Sequence, residues 1–152
     1  YVRASEICSD FLEQRLYLAL SKITLASEYE SRANELYKRL DMPAEASTMF
    51  QNAFNIVDDA IGLLVTINSE TLIKSMTAQR SFYEALMFQT KGIAFFDKED
   101  FQKALEYFDK AMKKYSETQK LATDAELDQL QEFLKQYKSE LEGYITMAKA
   151  ML

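Results

Sequence analysis

A chain of 152 residues with 48% hydrophobic and 28% charged side chains has the make-up of one globular domain rather than a disordered segment. Its 24 acidic against 18 basic residues give a formal charge of −6, which argues against a nucleic-acid or anionic-membrane surface, because both need a basic footprint. Three glycines and one proline leave few places to turn sharply, so long helices are predicted.

The first helix is predicted from Ala4 to Leu40, about 55 Å at the rise of an α-helix. Its seam runs Leu12, Leu16, Ala19, Ile23, Ala26, Glu30, Ala33, Tyr37, Leu40, with spacings alternating four and three, a heptad-like stripe in which Glu30 is the single charged intruder. A split near Ser27 would make this helix two, and six helices in all. Asp41-Met42-Pro43 ends it, since the residue before proline avoids the α region and Pro43 suits the first turn of the next helix.

The second helix, 44–67, alternates small and large apolar residues on one face (Ala46, Phe50, Ala53, Val57, Ala60, Leu64, Ile67), which favours close approach of a neighbour. Asn68-Ser69 ends it, and Ser69 is predicted to cap the third helix with its side chain. That third helix, 70–97, is apolar over a wide arc and reads as central. Asp97-Lys98-Glu99-Asp100 opens the fourth, with acidic residues at the positive end of its dipole. Its stripe is Phe101, Ala104, Leu105, Phe108, Met112 and Tyr115, and Lys113-Lys114 is placed near its negative end. The last helix, about Asp124 to Met151, carries regular heptads on Leu127, Leu134, Leu141 and Ala148. The expected fold is therefore all-α, one domain: an antiparallel bundle of five long helices, with 4–40 and 44–67 as a first hairpin and 70–152 as a three-helix unit.

Catalytic and cofactor chemistry finds little purchase. The chain has no histidine, which removes the usual imidazole base, most zinc sites and the Glu-x-x-His pairs of di-iron bundles. Gly62, Gly92 and Gly143 are too scattered for a phosphate-cradling loop. Asp58 and Asp59 are adjacent on a helix, point about 100° apart, and read as a solvated face. No cofactor and no metal are expected, and the chain reads as a non-enzyme. Cys8 is the only cysteine and reads as a core residue. With no internal disulfide and no apolar run long enough to span a bilayer, a cytoplasmic setting without membrane insertion is expected. Tyr1 in place of a starting methionine reads as a piece of a larger protein.

The stretch Gly92-x-x-Phe95 followed by Ala104-x-x-x-Phe108-x-x-Ala111 resembles a tetratricopeptide-type helical hairpin, with a weaker copy at Asn34-x-x-Tyr37 and Ala46-x-x-x-Phe50-x-x-Ala53. It departs from that pattern at Lys91, where an apolar residue is usual, at Ser116, where a proline often closes the unit, and in the irregular spacing of the copies. Ala104-Leu105 with Phe108 and Ala111, then Tyr144 and Ala148, is similar to the MIT (microtubule-interacting and transport) module over about Thr71 to Leu152. Asn34-Glu35-Leu36-Tyr37-Lys38 and Glu70-x-Leu72-Ile73 resemble strings of the tandem-MIT tail of autophagy-initiating protein kinases. These resemblances imply an adaptor of transport or autophagy type that binds a short helical motif.

The expected function is thus to hold an amphipathic helix of a partner protein in an interhelical groove. The groove is placed between the last two helices, where Ala104 and Ala111 leave space beside Tyr107, and Glu106, Lys110 and Glu140 form a polar rim. The competing reading is a structural spacer or homo-oligomerising bundle, built on the heptads of the first and last helices.

Overall fold

A computed structural model describes the backbone of residues 2–152 and the side chains from residue 9 onward. Five helices follow in order: α1 (Val2–Lys38), α2 (Pro43–Thr66), α3 (Glu70–Asp97), α4 (Phe101–Asp124) and α5 (Asp128–Ala150). The described residues are an all-α antiparallel bundle with no strand. α1 is continuous through Ser27, as expected where no breaker interrupts 37 residues. The expected core role of Cys8 lies outside the described side chains.

Each of the four turns is closed by a residue in the left-handed region: Asp41, Asn68, Glu99 and Glu126, with φ of 50°, 54°, 63° and 56°. Asp and Asn tolerate this conformation through their short polar side chains, whereas Glu carries the Cβ penalty there. All three glycines lie inside helices instead. Pro43 opens α2. Asp100 caps α4, its carboxylate accepting from the Lys103 amide at 3.2 Å. Ser69 occupies the N-cap of α3 but makes no side-chain cap bond, so the capping expected of it is absent. α4 also runs further than expected, to Asp124, and α5 starts at Asp128. Lys113 and Lys114 therefore sit mid-helix, away from the dipole's negative end. Lys113 instead pairs with Asp109 at 3.1 Å, and Lys114 with Glu117 at 3.0 Å and with Glu84 of α3 at 3.5 Å.

Packing follows chain order. α1 lies along α2, α2 along α3, α3 along α4 and α4 along α5, while α5 meets α3 through few residues. Small residues set the closest approaches: Ala19, Ala26 and Ala33 of α1, and Ala46, Ala53 and Ala60 of α2, are fully buried. One core cluster runs through all five helices, with Phe50, Tyr83, Leu86, Phe108, Tyr115, Leu134 and Leu141 among its members. The α5 heptad residues Leu134, Leu141 and Ala148 and the middle of the α1 seam, Ala19, Ala26 and Ala33, lie inside this chain, whereas Leu12 and Leu40 near the ends of the α1 seam are exposed. No described helix is long and apolar enough to cross a membrane.

Candidate partner-binding cleft

The odd-numbered helices point the same way, and α1 and α5 meet across α3. At one end they are latched. The Tyr37 hydroxyl donates to the Glu140 carboxylate, the Tyr137 hydroxyl donates to Asn34 Oδ1 at 3.5 Å, and Lys38 Nζ lies 4.9 Å from the Tyr137 ring centroid. Beneath the latch, the fully buried Gln89 of α3 donates to the Tyr37 oxygen at 3.4 Å and accepts from the Tyr115 hydroxyl of α4. Four helices are joined by this one hydrogen-bonded chain.

Towards the other end α1 and α5 diverge and leave a cleft of about 500 Å³. Ile23, Ser27 and Glu30 form its α1 wall, Met76, Gln79, Phe82 and Tyr83 its floor on α3, and Leu127, Leu130 and Phe133 its α5 wall. Ile23, Glu30 and Tyr37 recur at seven-residue intervals, so one line of α1 supplies the cleft's apolar wall, its carboxylate and its latch. The floor is stiff, because the Phe82 ring stands edge-on to Tyr137 with centroids 5.6 Å apart and lies 6.4 Å from that of Tyr115.

Glu30 is the polar centre. The Tyr83 hydroxyl donates to its Oε2 at 2.7 Å, and no cation stands within 4 Å of it among the described residues. Burial raises its pKa above the ordinary 4.5, with the Tyr83 hydrogen bond opposing that rise. Burial, reinforced by the neighbouring carboxylates Glu30 and Glu140, pushes the Tyr83 and Tyr37 phenols well up, so both stay neutral donors. The raised carboxyl has a consequence for stability. Below about pH 4.5 Glu30 is protonated in the folded and unfolded chain alike; as pH rises, the unfolded chain loses its proton first, and the stability tied to the neutral acid disappears as pH passes the folded value. Glu30→Gln keeps an acceptor for Tyr83 without the charge. It is expected to melt higher than the parent near pH 7 and together with it near pH 4 in thermal scans.

The six residues expected to form a site do not converge. Ala104 and Ala111 are fully buried, and Ala104 is in tight contact with α3: a Cβ added to Gly92 would meet its carbonyl at 3.3 Å. The space expected beside these two alanines is thus already taken. Between α4 and α5 the gap is filled by Phe108 and Tyr144, 5.8 Å apart, with Phe96 5.6 Å from Tyr144. Tyr107 and Lys110 belong to another face, turned to Phe88 and Phe95 of α3. Glu106 is exposed, and Glu140 is committed to the latch. Asp58 bonds Arg80 of α3 at the surface and Asp59 is exposed. The cleft residues that sequence reasoning passed over had one marker, a charge at Glu30 on an otherwise apolar seam. Comparison of the chain with family models, curated proteins and solved structures returned no match.

Proposed function

We propose that this chain is a non-catalytic interaction module whose α1–α3–α5 cleft receives side chains from one face of a partner's amphipathic helix. The reading rests on one observation: a cleft of about 500 Å³ with apolar walls, edged also by Glu126 and Asp128, in which the half-buried Glu30 carboxylate has no cation within 4 Å among the described residues. Apolar anchors spaced i, i+3 or i+4, i+7 match the apolar walls. A lysine or arginine beside them would supply the cation that Glu30 lacks, turning a buried charge from a cost into an ion pair. A volume of this size holds a few side chains, with the partner's backbone lying along the mouth. An adaptor role of transport or autophagy type in the cytoplasm, which the sequence resemblance implies, would use this cleft for recognition.

The test is selection of a displayed library of helix-forming peptides on the intact chain. Enriched sequences are expected to carry the apolar spacing with an adjacent Lys or Arg, and to bind at least about tenfold more weakly to Phe133→Glu, a change worth about 1.4 kcal/mol. Phe133 is 42% exposed, so that variant should melt with the parent. Absence of enrichment, or enriched peptides indifferent to both Phe133→Glu and Glu30→Gln, would sink the reading.

A further inference from the structure

α5 covers only part of the length that α1 and α3 offer it. The Tyr37–Glu140 and Asn34–Tyr137 bonds both join residues 103 positions apart, and the same offset sets Asp128, the first residue of α5, level with Leu25 of α1. α4, running the other way, ends at Asp124, level with Ser75 of α3 by the register of the Ser81–Thr118 bond at 2.7 Å. Residues 9–24 of α1 and 70–75 of α3 thus extend past both helices, and the place that α5 takes against them is continued by open space.

That space holds a second cavity, of about 390 Å³, lined by Leu12, Glu13 and Leu16 of α1, Ile67 and Ser69 of the α2–α3 turn and Leu72 of α3. Two lines of α1 join it to the cleft beside Glu30. Leu16, Ile23 and Glu30 recur at heptad spacing along one, and Glu13, Leu20 and Ser27 along the other, with Leu20 44% exposed between the two cavities. On α3, Leu72 of the second cavity and Met76 of the cleft are one turn apart.

The charge along this groove has one sign. Glu13, Glu30, Glu126 and Asp128 line the two cavities, and no lysine or arginine does; Asp10 shares a surface depression with Glu13 and Tyr17. Cations on the same helices turn elsewhere. Arg15 donates to Thr66 Oγ1 of α2 at 3.3 Å and lies 4.6 Å from the Phe11 centroid, and Lys22, one heptad further on, shares that side of α1. Arg32 borders a different surface with Leu25 and Glu28. Lys38 is held over Tyr137 at the latched end, and Lys135 of α5 pairs with Glu132 at 3.3 Å. Lys74 is two residues from both Leu72 and Met76, about 200° round α3 from each.

We infer that the cleft is one end of a groove about 32 Å long, from Glu30 to Ser9 along α1, and that its occupant is a basic amphipathic helix of a partner protein, its apolar side against Leu16, Ile23, Leu72 and Met76 and its lysines or arginines opposite the carboxylates. This inference rests on the cleft reading above and extends it. A helix fits because the groove prolongs the place that a helix of this chain already fills. A basic one fits because none of Glu13, Glu30, Glu126 and Asp128 has a cation within 4 Å among the described residues. A nucleic acid, an anionic membrane or an acidic segment would meet the same row as repulsion, and two copies of this face would set their own acids against each other.

The experiment is fluorescence anisotropy on the whole chain with three labelled peptides: a helix former of about 22 residues, long enough for the groove, with a leucine stripe flanked by lysines; the same peptide with glutamate for each lysine; and half of the lysine peptide. The lysine peptide is expected to bind, the glutamate peptide not to bind, and the half peptide to bind at least about tenfold more weakly than the whole. Asp10→Lys with Glu13→Lys should weaken the whole peptide at least about tenfold, and so should Phe133→Glu. Asp59→Lys with Glu106→Lys, the same change of net charge on other faces, should leave it unchanged. Weakening by Phe133→Glu alone, with the half peptide as tight as the whole, would leave the cleft standing and overturn the groove; weakening by the Asp10 and Glu13 reversal alone would overturn both. No binding of the lysine peptide, equal binding of the glutamate peptide, or equal weakening by the control pair would also overturn the inference. A dimer in light scattering that Leu12→Glu dissolves would give the groove to a second copy and overturn it as well. All the substituted residues are exposed, and matching melting curves show that the fold is intact.

Discussion

Replacing Gln89 with leucine is expected to destabilise the fold by about 3 kcal/mol, although leucine is close in size and more apolar. Gln89 is fully buried and sits in the middle of the chain Tyr115–Gln89–Tyr37–Glu140. Its loss strands the Tyr115 hydroxyl, which has no water to turn to, since Tyr115 is itself fully buried. An orphaned buried donor costs about 1–3 kcal/mol, and the Tyr37 latch loses its support in the same step. Urea denaturation should show the loss as a lower midpoint at unchanged slope. The cycle is completed by Tyr115→Phe. Adding it to Gln89→Leu removes the stranded hydroxyl, so the double variant should be more stable than the two single losses summed. Simple additivity would show that the hydrogen-bonded chain carries no coupling energy.

The three glycines provide the second large effect, because one substitution is expected to change sign with position. At Gly92 an added Cβ would lie 2.6 Å from both Cδ1 and Cε1 of Phe108 and 3.3 Å from the Ala104 carbonyl oxygen. The Phe108 ring cannot retreat, being fully buried with Tyr144 beside it. Overpacking of this kind typically costs about 1–3 kcal/mol, set against about 1 kcal/mol that alanine gains over glycine in a helix. Gly92→Ala should therefore lose up to about 2 kcal/mol, and Gly92→Val more. Gly62 and Gly143 have nothing within 4 Å of the same atom and are exposed. Alanine there should raise stability by up to about 1 kcal/mol. Equal effects at all three sites, read by thermal or urea melts, would mean that the α3–α4 contact is looser than described.

How much of this was legible in the residues depends on whether the cause was local. Pro43 and the charged run 97–100 marked two turns, and the wide apolar arc of 70–97 identified α3 as the central helix. The start of α5 was misplaced by four residues because Asp124-Ala125-Glu126 contains no breaker; the turn rests on Glu126 at positive φ, which leaves no trace in composition. The close approach at Gly92 was readable from Gly92, Ala104 and Ala111 as small residues on facing helices. Tyr107 was not, because a side chain at the edge of a stripe can turn to either neighbour, and Phe88 and Phe95 drew it towards α3. Glu30 was visible as an anomaly. What surrounds it was not, since the register of α1 against α5 joins segments a hundred residues apart and nothing in either helix alone sets it.

A chain whose helices each lie against their sequence neighbours has mostly short loops to close while folding, and so little entropy to lose before contacts form. The Tyr37–Glu140 and Tyr137–Asn34 bonds reach furthest along the sequence, bridging the two ends of the array. They behave as a fastener added to an already assembled stack. Loosening it would still leave Leu134, Tyr137 and Leu141 of α5 in the shared core, so what a guest can set on arrival is the local width of the space beside Glu30 and not the place of the helix.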